Sequence, residues 1–429
     1  MNPSNTDHWC PTDPHPSPQP GNARSAFHAV SVIIPYYNAP DQLLRVLTAV
    51  VNQDYPGPVQ IIIADDGSTP PAHEDPQLQP TLHRLGATVV WQPDQGFRAA
   101  AARNLGATRA TGEVLAFFDG DTCPEPGFLR AAVPHITANP RALVVGSRLT
   151  GPSAEEPEWL RHAWHHTDHL RAADDTSWRF IISAAMVCSR SFFTFLSGFD
   201  ATLVRYGGED WEFAWRAWNH GAQFVHEPAA IAIHPQDDFG QRFGDPDETI
   251  RRKNFETTAL ATRITHPMCR PQFGLFEVAD IGVVLPKEKT PTTATAWQRP
   301  GVSEAVIASW LQADVQVYMD GEVPALFAAD PRVRQLDGHE GQGRAGKKRA
   351  TEAPDSRIQV RLAEPLALEN LETFYAAVTD RMVQLPDGSD ITTARGVALE
   401  LAVQHTTPEQ AGLRPVGGPQ QLERLFAGW

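Results

Sequence analysis

The sequence predicts an α/β protein: a mostly parallel sheet with helices on both faces, followed by a smaller α/β region. Three observations carry this expectation. Short apolar segments recur as strand candidates at Val30–Pro35, Val59–Ala64, Thr88–Trp91, Val114–Phe118, Leu143–Ser147, Ile181–Cys188 and Ala229–His234. Helical patterns, such as Ala39–Asn52 and Arg98–Ala110, lie between several of them, and that alternation favours parallel strands joined by crossover helices. Carboxylates and glycines follow directly on several of these strands. In such sheets ligands gather beyond the carboxyl ends of the strands.

Taken along the chain, residues 1–27 are rich in Pro, Ser, Asn and His and read as a disordered tail. Residues 28–265 hold the alternating pattern and form the first domain. Residues 266–429 form a C-terminal accessory region, reached through a polar stretch, QDDFGQRFGDPDETIRRKNFE, and taken up again near Phe273. A faded repeat links the two parts. NAPDQLLRVLTAVVNQ, VQIIIADDG and QGFRAAAARN in the first part are followed, in the same order, by QRPGVSEAVIASWLQ, VQVYMDGE and QGRAGKKRA in the second. Duplication and chance similarity of short blocks both remain open at this level.

Composition narrows the functional classes. With 429 residues the chain has ample length for a buried core, and 41% hydrophobic with 20% charged residues is ordinary for a globular protein. A formal net charge of -15 argues against general affinity for nucleic acid or anionic membrane. The four cysteines, Cys10, Cys123, Cys188 and Cys269, form no CxxC pair, so neither a disulfide framework nor a zinc site is expected, and a reducing compartment fits best. The N-terminus lacks the basic and apolar signature of a signal peptide, and no stretch approaches the length of a membrane span. A cytoplasmic protein is expected, with any membrane work done as a peripheral visitor at the inner surface.

Three acidic clusters stand out. Asp65-Asp66-Gly67-Ser68 ends the second strand candidate, where a plain turn would use the same residues. Asp119-Gly120-Asp121 follows Val114–Phe118; two carboxylates one residue apart at a strand end can share Mg²⁺ or Mn²⁺ while leaving positions for phosphate oxygens. Gly207-Gly208-Glu209-Asp210-Trp211 opens a helical pattern. There, a loop carboxylate could act as a general base, or simply favour the helix dipole.

Together these segments resemble a known family. VSVIIPYYN (30–38), IIIADDGS (61–68), QGFRAAAARNLG (95–106), FFDGD (117–121), SGFD (197–200) and GGEDWEFAWR (207–216) occur in the order seen in family 2 glycosyltransferases with a GT-A fold. The GGED segment is similar to that of chondroitin-polymerase-type and galactosyltransferase-type enzymes. The resemblance covers Val30 to Pro235, about half the chain.

The resemblance implies roles residue by residue. Pro35 and Tyr37 would flank the nucleoside of the donor, and Asp66 would accept a hydrogen bond from the base, which is uracil in most relatives. Arg103 and Asn104, with Arg98, would face the donor phosphates. Asp119 would lie near ribose and metal, Asp121 would ligate the metal, and His234 would complete the metal site. Asp210 would be the catalytic base, Glu209 would position the acceptor hydroxyl, and Trp211 would offer a face to the acceptor. The implied activity is metal-dependent, inverting transfer of a hexose or N-acetylhexosamine from a nucleotide sugar to a carbohydrate, lipid-linked or small-molecule acceptor. Of the other tryptophans, Trp159, Trp164, Trp178, Trp215 and Trp218 present stacking or packing surfaces.

The C-terminal region departs from the pattern. Arg361-Leu362-Ala363 stands where the repeat would place its DxD, and no GGED follows. A second copy would therefore be catalytically dead, serving acceptor binding, homo-oligomerisation or stability; Asp320-Gly321 reads as a turn and Gly346-Lys347-Lys348-Arg349 as a solvated loop. The competing functional readings are a non-catalytic carbohydrate-binding scaffold and a nucleotide-sugar pyrophosphorylase. The latter would need a Gly-rich basic loop near the N-terminus, which VIIPYYNAPDQ does not provide.

Overall fold

The structure is a computed structural model that describes residues 27–205, 207–235, 246–271, 274–286, 294–336, 356–422 and 424. Apart from Phe27, the expected N-terminal tail lies outside the described residues, as do Phe273, the third repeat block in the C-terminal region and the basic run 346–349.

The first domain runs β1 (Val30–Tyr36), α1 (Pro40–Val51), β2 (Val59–Asp65), α2 (Gln79–Leu85), β3 (Thr88–Trp91), α3 (Ala99–Ala107), β4 (Val114–Phe118), β5 (Cys123–Pro124), α4 (Phe128–Ala138) and β6 (Ala142–Thr150). It continues through α5 (Glu158–His166), β7 (Ala185–Ser189), α6 (Arg190–Phe195), α7 (Glu209–Asn219), β8 (Gln223–His234) and α8 (Pro246–Ala261). The strands form one eight-stranded sheet in the order β3-β2-β1-β4-β7-β6-β8-β5.

Two apolar layers hold this sheet, one on each face. Along β1, Val30, Val32 and Ile34 join the layer formed with α1 and α4, whereas Ile33 points into the layer formed with α3 and α7. Burial on both faces is what makes the strands read as continuous apolar runs rather than as alternating ones.

The expected α/β architecture, a mostly parallel sheet with helices on both faces, is present, with antiparallel pairings at β7 and β5. β1, β2, β3 and β4 are mutually parallel, whereas β7 runs antiparallel to both β4 and β6. The strand expected at Ile181–Cys188 begins only at Ala185. A 3₁₀ turn at Ser177–Phe180 precedes it, and the Ser183 amide donates to the Asp210 carboxylate instead of entering the ladder. Conversely, β8 begins earlier than expected, at Gln223, and its pairing with β6 is interrupted by a bulge at Gly146/Ser147. Bulges bend a strand and re-aim its side chains; here the bulge precedes the stretch that ends at His234.

The C-terminal region contains β9 (Ile281–Leu285), α9 (Ala294–Trp297), α10 (Val302–Trp310), β10 (Val315–Met319), β11 (Val333–Gln335), β12 (Ile358–Arg361) and β13 (Leu366–Leu368). It then forms α11 (Leu371–Val378), β14 (Met382–Gln384), β15 (Asp390–Thr393), α12 (Ala394–Ala398), β16 (Val403–His405) and β17 (Leu413–Pro415). Its main sheet has the order β11-β10-β9-β12-β15-β14-β16, with β13 and β17 paired beside it. Strand for strand this is the order of the first sheet, with β9 in the place of β1 and β12 in that of β4. The senses agree as well: β15 is antiparallel to β12 and β14, and β16 is parallel to β14. β13 meets β17 antiparallel, as β5 meets β8.

The two parts meet at a buried ionic network against the outer side of α7. Arg357 donates to Asp175 of the first domain at 2.9 Å and, through Nε and Nη2, to Asp280 at 2.8 Å each. Asp280 also accepts from Thr265 and Tyr375. Burial would raise the Asp280 carboxyl, but Arg357, together with the hydrogen bonds from Thr265 and Tyr375, holds that group below the usual carboxylate range. The same guanidinium lies 5.5 Å from the Trp215 ring of α7, and Arg395 of α12 lies 3.4 Å over Trp218. Among the described residues no helix is long and apolar enough to cross a membrane.

Removing one partner of a buried ion pair strands the other charges, at a cost of about 3–5 kcal/mol. Arg357→Met is therefore expected to lower the unfolding free energy by an amount in that range in urea titrations. A loss below about 1 kcal/mol, the value of an exposed pair, would show that the network does not hold the interface.

Candidate functional site

The carboxyl ends of β1, β2, β4 and β8 open onto one cavity of about 620 Å³. Pro35 and Tyr37 line it from the end of β1, Asp66 from β2, Asp119 and Asp121 from β4, and His234 from β8. Glu209, Asp210 and Trp211 line it from the start of α7. Three motifs that are far apart in sequence thus meet in a single space.

Their roles within that space differ. Of the first acidic pair, Asp65 is fully buried and accepts from the Ser68 and Ala72 amides, so it shapes the turn. Asp66 faces the cavity and is held by the Gln92 amide group at 2.6 Å and by the Arg98 backbone N–H at 2.7 Å. Tyr37 is half-exposed at the rim, and its hydroxyl donates to Asp94.

Arg103 is the central cation. It projects from α3 with only 3% of its side chain exposed, donating through Nη2 to Asp119 at 2.5 Å and through Nη1 to Glu209 at 2.9 Å. Burial alone would lower its pKa, yet the carboxylates of Asp119 and Glu209 raise it, so the guanidinium stays charged. The end of β4 and the start of α7 are thereby joined through one side chain.

Asp121 Oδ2 lies 3.2 Å from His234 Nε2, and the imidazole is buried. A carboxylate and an imidazole side by side at a cavity wall suit a divalent cation. Asp119, also expected near the metal, has its carboxylate on Arg103. Among the described residues no three His, Cys, Asp or Glu side chains gather closely enough to hold an ion by themselves. The Asp121–His234 pair could therefore supply only two of the ligands that a divalent ion takes.

Two expected donor contacts do not reach the cavity. The Arg98 guanidinium donates to Gln95 Oε1 and the Pro93 carbonyl at 2.9 and 2.6 Å, with its Nε 4.0 Å from the Asp66 carboxylate, and it is not part of the cavity lining. Asn104 forms a two-way clamp on the backbone of Phe199, its amide donating to the carbonyl and its oxygen accepting from the N–H. It secures the SGFD turn and is not part of the cavity lining.

The α7 start depends on glycine. Gly207 and Gly208 have φ of +98° and +94°, which side-chain-bearing residues rarely adopt, and Leu260 lies 3.1 Å from where a Cβ on Gly208 would sit. This tight turn sets Glu209 and Asp210 side by side. Asp210 accepts from the Ser183 and Trp211 amides. Desolvation, followed by repulsion from Glu209, pushes the Asp210 carboxyl up to about 7, with Arg103 opposing them. A carboxylate raised toward neutrality beside a cavity has the character of a general base.

The cavity is also lined by Phe97, Arg148, Trp159, Ser183, Lys253 and Glu256. Of these, only Trp159 was marked by sequence, as one of several aromatic faces. Lys253 and Glu256 lie in the polar stretch after residue 240, where charged residues read as a solvated surface and give no signal of a site.

Comparison with known proteins agrees with these motifs. Residues 31–196 match the family model described as glycosyl transferase family 2, and residues 171–235 match that of the N-terminal domain of galactosyltransferase. A pre-mycofactocin glycosyltransferase of Mycobacterium tuberculosis is 29% identical over 258 residues, covering 59% of this chain and 51% of that protein. A chondroitin synthase of Escherichia coli is 25% identical over 272 residues, covering 55% of this chain and 38% of that protein. The chain thus spans about half the length of the first relative and less of the second. Among solved structures, GalNAc-T7 with UDP, GalNAc and Mn²⁺ aligns at a TM-score of 0.40 and 18% identity over 49% of this chain and 44% of that one.

The Asp210 environment yields a titration test. Below about pH 4, both folded and unfolded chains hold this proton; between there and about 7 only the folded chain does. Its contribution to stability is therefore present at low pH and lost as pH rises through 7. Carboxyl ¹³C NMR should show one resonance titrating near 7 that disappears in Asp210→Asn and moves to lower pH in Glu209→Gln. A midpoint in the ordinary range near 4 would contradict the geometry.

Proposed function

We propose, from the premise that this chain carries a glycosyl transferase family 2 domain over residues 31–196, that it is a metal-dependent, inverting glycosyltransferase using a nucleotide sugar as donor. The observation that supports this most is the convergence of Asp66, Asp119, Asp121, His234 and Asp210 on one cavity. A scaffold that only bound carbohydrate would have no need of a carboxylate raised toward neutrality beside a ligand pair for a metal.

In this reading, Pro35, Tyr37 and Asp66 receive the nucleoside. Asp121 and His234 would hold Mn²⁺ or Mg²⁺, which when bound supplies positive charge to the diphosphate leaving group. Asp119 stays on Arg103 and borders the ribose. Arg103, neutralised by two carboxylates, orients Glu209 and the metal-side turn and adds little free positive charge of its own. Asp210 takes the proton from the acceptor hydroxyl as that oxygen attacks the anomeric carbon opposite the departing diphosphate. A single displacement inverts the anomeric configuration, so an α-linked donor would give a β-linked product. UDP is the nucleotide favoured by the family resemblance, and hexose or N-acetylhexosamine the transferred class.

The C-terminal region is read as a second copy of the same fold without transfer chemistry. The repeated strand order supports this, and so does Arg361 at the end of β12, where β4 leads to the Asp119–Asp121 turn. In this copy β14 and β15 are joined by a short hairpin, where the first domain inserts residues 151–184 between β6 and β7. Its role is to brace α7 from outside through Arg357 and Arg395.

General-base catalysis contributes roughly 10²–10⁴-fold. Asp210→Asn is expected to lower kcat by that factor while leaving thermal stabilisation by UDP-sugar and Mn²⁺ intact. Asp121→Ala and His234→Ala should abolish that stabilisation. Full activity in Asp210→Asn, or indifference of the native protein to UDP-, GDP- and dTDP-sugars with Mn²⁺, would contradict the assignment.

A further inference from the structure

The donor roles above leave part of the cavity lining unassigned. That part includes Lys253 and Glu256 of α8, a helix that no motif marks, together with Trp211 and Trp159. Glu256 is 6% exposed, although carboxylates are seldom buried so deeply without compensation. Its two oxygens accept from Lys253 Nζ at 2.9 and 3.1 Å, and desolvation still raises its pKa. Lys253 is half-exposed and lies 5.4 Å from the Trp211 ring centroid.

An ordinary surface pair one helical turn apart would be solvated at both ends and worth little. This pair differs in place and in contacts. Glu256 packs directly on the glycine turn: a Cβ on Gly207 would come within 2.8 Å of Glu256 Oε2. The pair therefore sits against the same five residues that carry Asp210, on the cavity side. An acceptor group (Glu256), a donor group (Lys253) and an aromatic face (Trp211) converge there within one wall.

That combination has a definite chemical complement. Two neighbouring hydroxyls can respectively donate to a carboxylate and accept from an ammonium, while the C–H face of a sugar ring packs on an indole. A free anion would be repelled by the buried Glu256 carboxylate, and a purely apolar group would leave Glu256 without polar contact from the ligand. We propose that Lys253 and Glu256, with Trp211, form the acceptor-recognition wall, holding a pyranose ring through adjacent hydroxyls so that a further hydroxyl faces Asp210. This rests on the reading of the cavity as a transferase site, and it assigns the acceptor class and the side chains that select it.

The test uses the full chain with Mn²⁺, a UDP-sugar that it hydrolyses, and a panel of p-nitrophenyl hexopyranosides as acceptors. Hydrogen bonds to charged groups contribute about 1.5–3 kcal/mol, roughly 10- to 150-fold. Glu256→Gln and Lys253→Met should each raise KM for the pyranoside by at least about tenfold, with no comparable rise in KM for the UDP-sugar. Thermal melting of both variants establishes folding, and the near-isosteric Gln substitution keeps the test available if Lys253→Met does not fold. Unchanged pyranoside KM in both variants would overturn the proposal, as would an equal rise in donor KM. A wild-type protein that hydrolyses donor but uses no pyranoside would overturn the acceptor class while sparing the donor site. Absence of both donor binding and hydrolysis would instead remove the transferase reading beneath it.

Discussion

The geometry of the cavity depends on the guanidinium of Arg103. It bridges Asp119 at the end of β4 and Glu209 at the start of α7, residues ninety positions apart in the sequence. Opposite charges about 4 Å apart attract by about 4 kcal/mol at an effective dielectric near 20, so each arm of this bridge is a strong constraint in a partly desolvated wall. Without it, Asp119, Glu209 and Asp210 would form a cluster of like charges around the cavity. With it, Asp119 and Glu209 are compensated, and Asp210 is left as the carboxyl that burial and its neighbour push upward. One cation thus distributes two kinds of carboxylate character between adjacent residues.

The same constraint explains why the glycine turn and the C-terminal region both bear on α7. The turn fixes where the helix begins, and Arg357 and Arg395 cover the indoles on its outer side. Trp178 also meets Trp211 and Trp215 edge-on, linking the segment that leads to Ser183 with the helix that carries Asp210. The helix is held at its start by charge, at its turn by backbone geometry and along its back by aromatic and ionic packing. In the proposed account, the region without transfer chemistry serves the chemistry by holding this element still.

Much of this was legible in the sequence because strand-end motifs are local. An apolar run followed by Asp and Gly places the carboxylate at a sheet edge whatever the rest of the chain does, which is how Asp66, Asp121 and His234 could be assigned to one side of the sheet. What was not legible depended on tertiary choices. The ARN segment predicts two polar side chains facing a ligand, but of the two only Arg103 lines the cavity; Asn104 is taken by the backbone of Phe199, and the Arg98 guanidinium donates within its own loop. The reversed direction of β7 follows from the path of residues 151–184, which contains the short helix α5 but no strand of the main sheet. Lys253 and Glu256 carry no motif, and only the packing of α8 on the glycine turn brings them to the cavity. The faded repeat, by contrast, was visible as three short blocks, and two of them fall at corresponding helix and strand positions, α1 with α10 and β2 with β10.

The most direct measurement is a crystal structure of the chain grown with Mn²⁺ and UDP, with the metal located by its anomalous scattering. The account predicts one strong peak bound by the Asp121 carboxylate, the His234 imidazole and the diphosphate, with the uracil ring between Pro35 and Asp66. A metal bound elsewhere, or UDP lying outside this cavity, would contradict it.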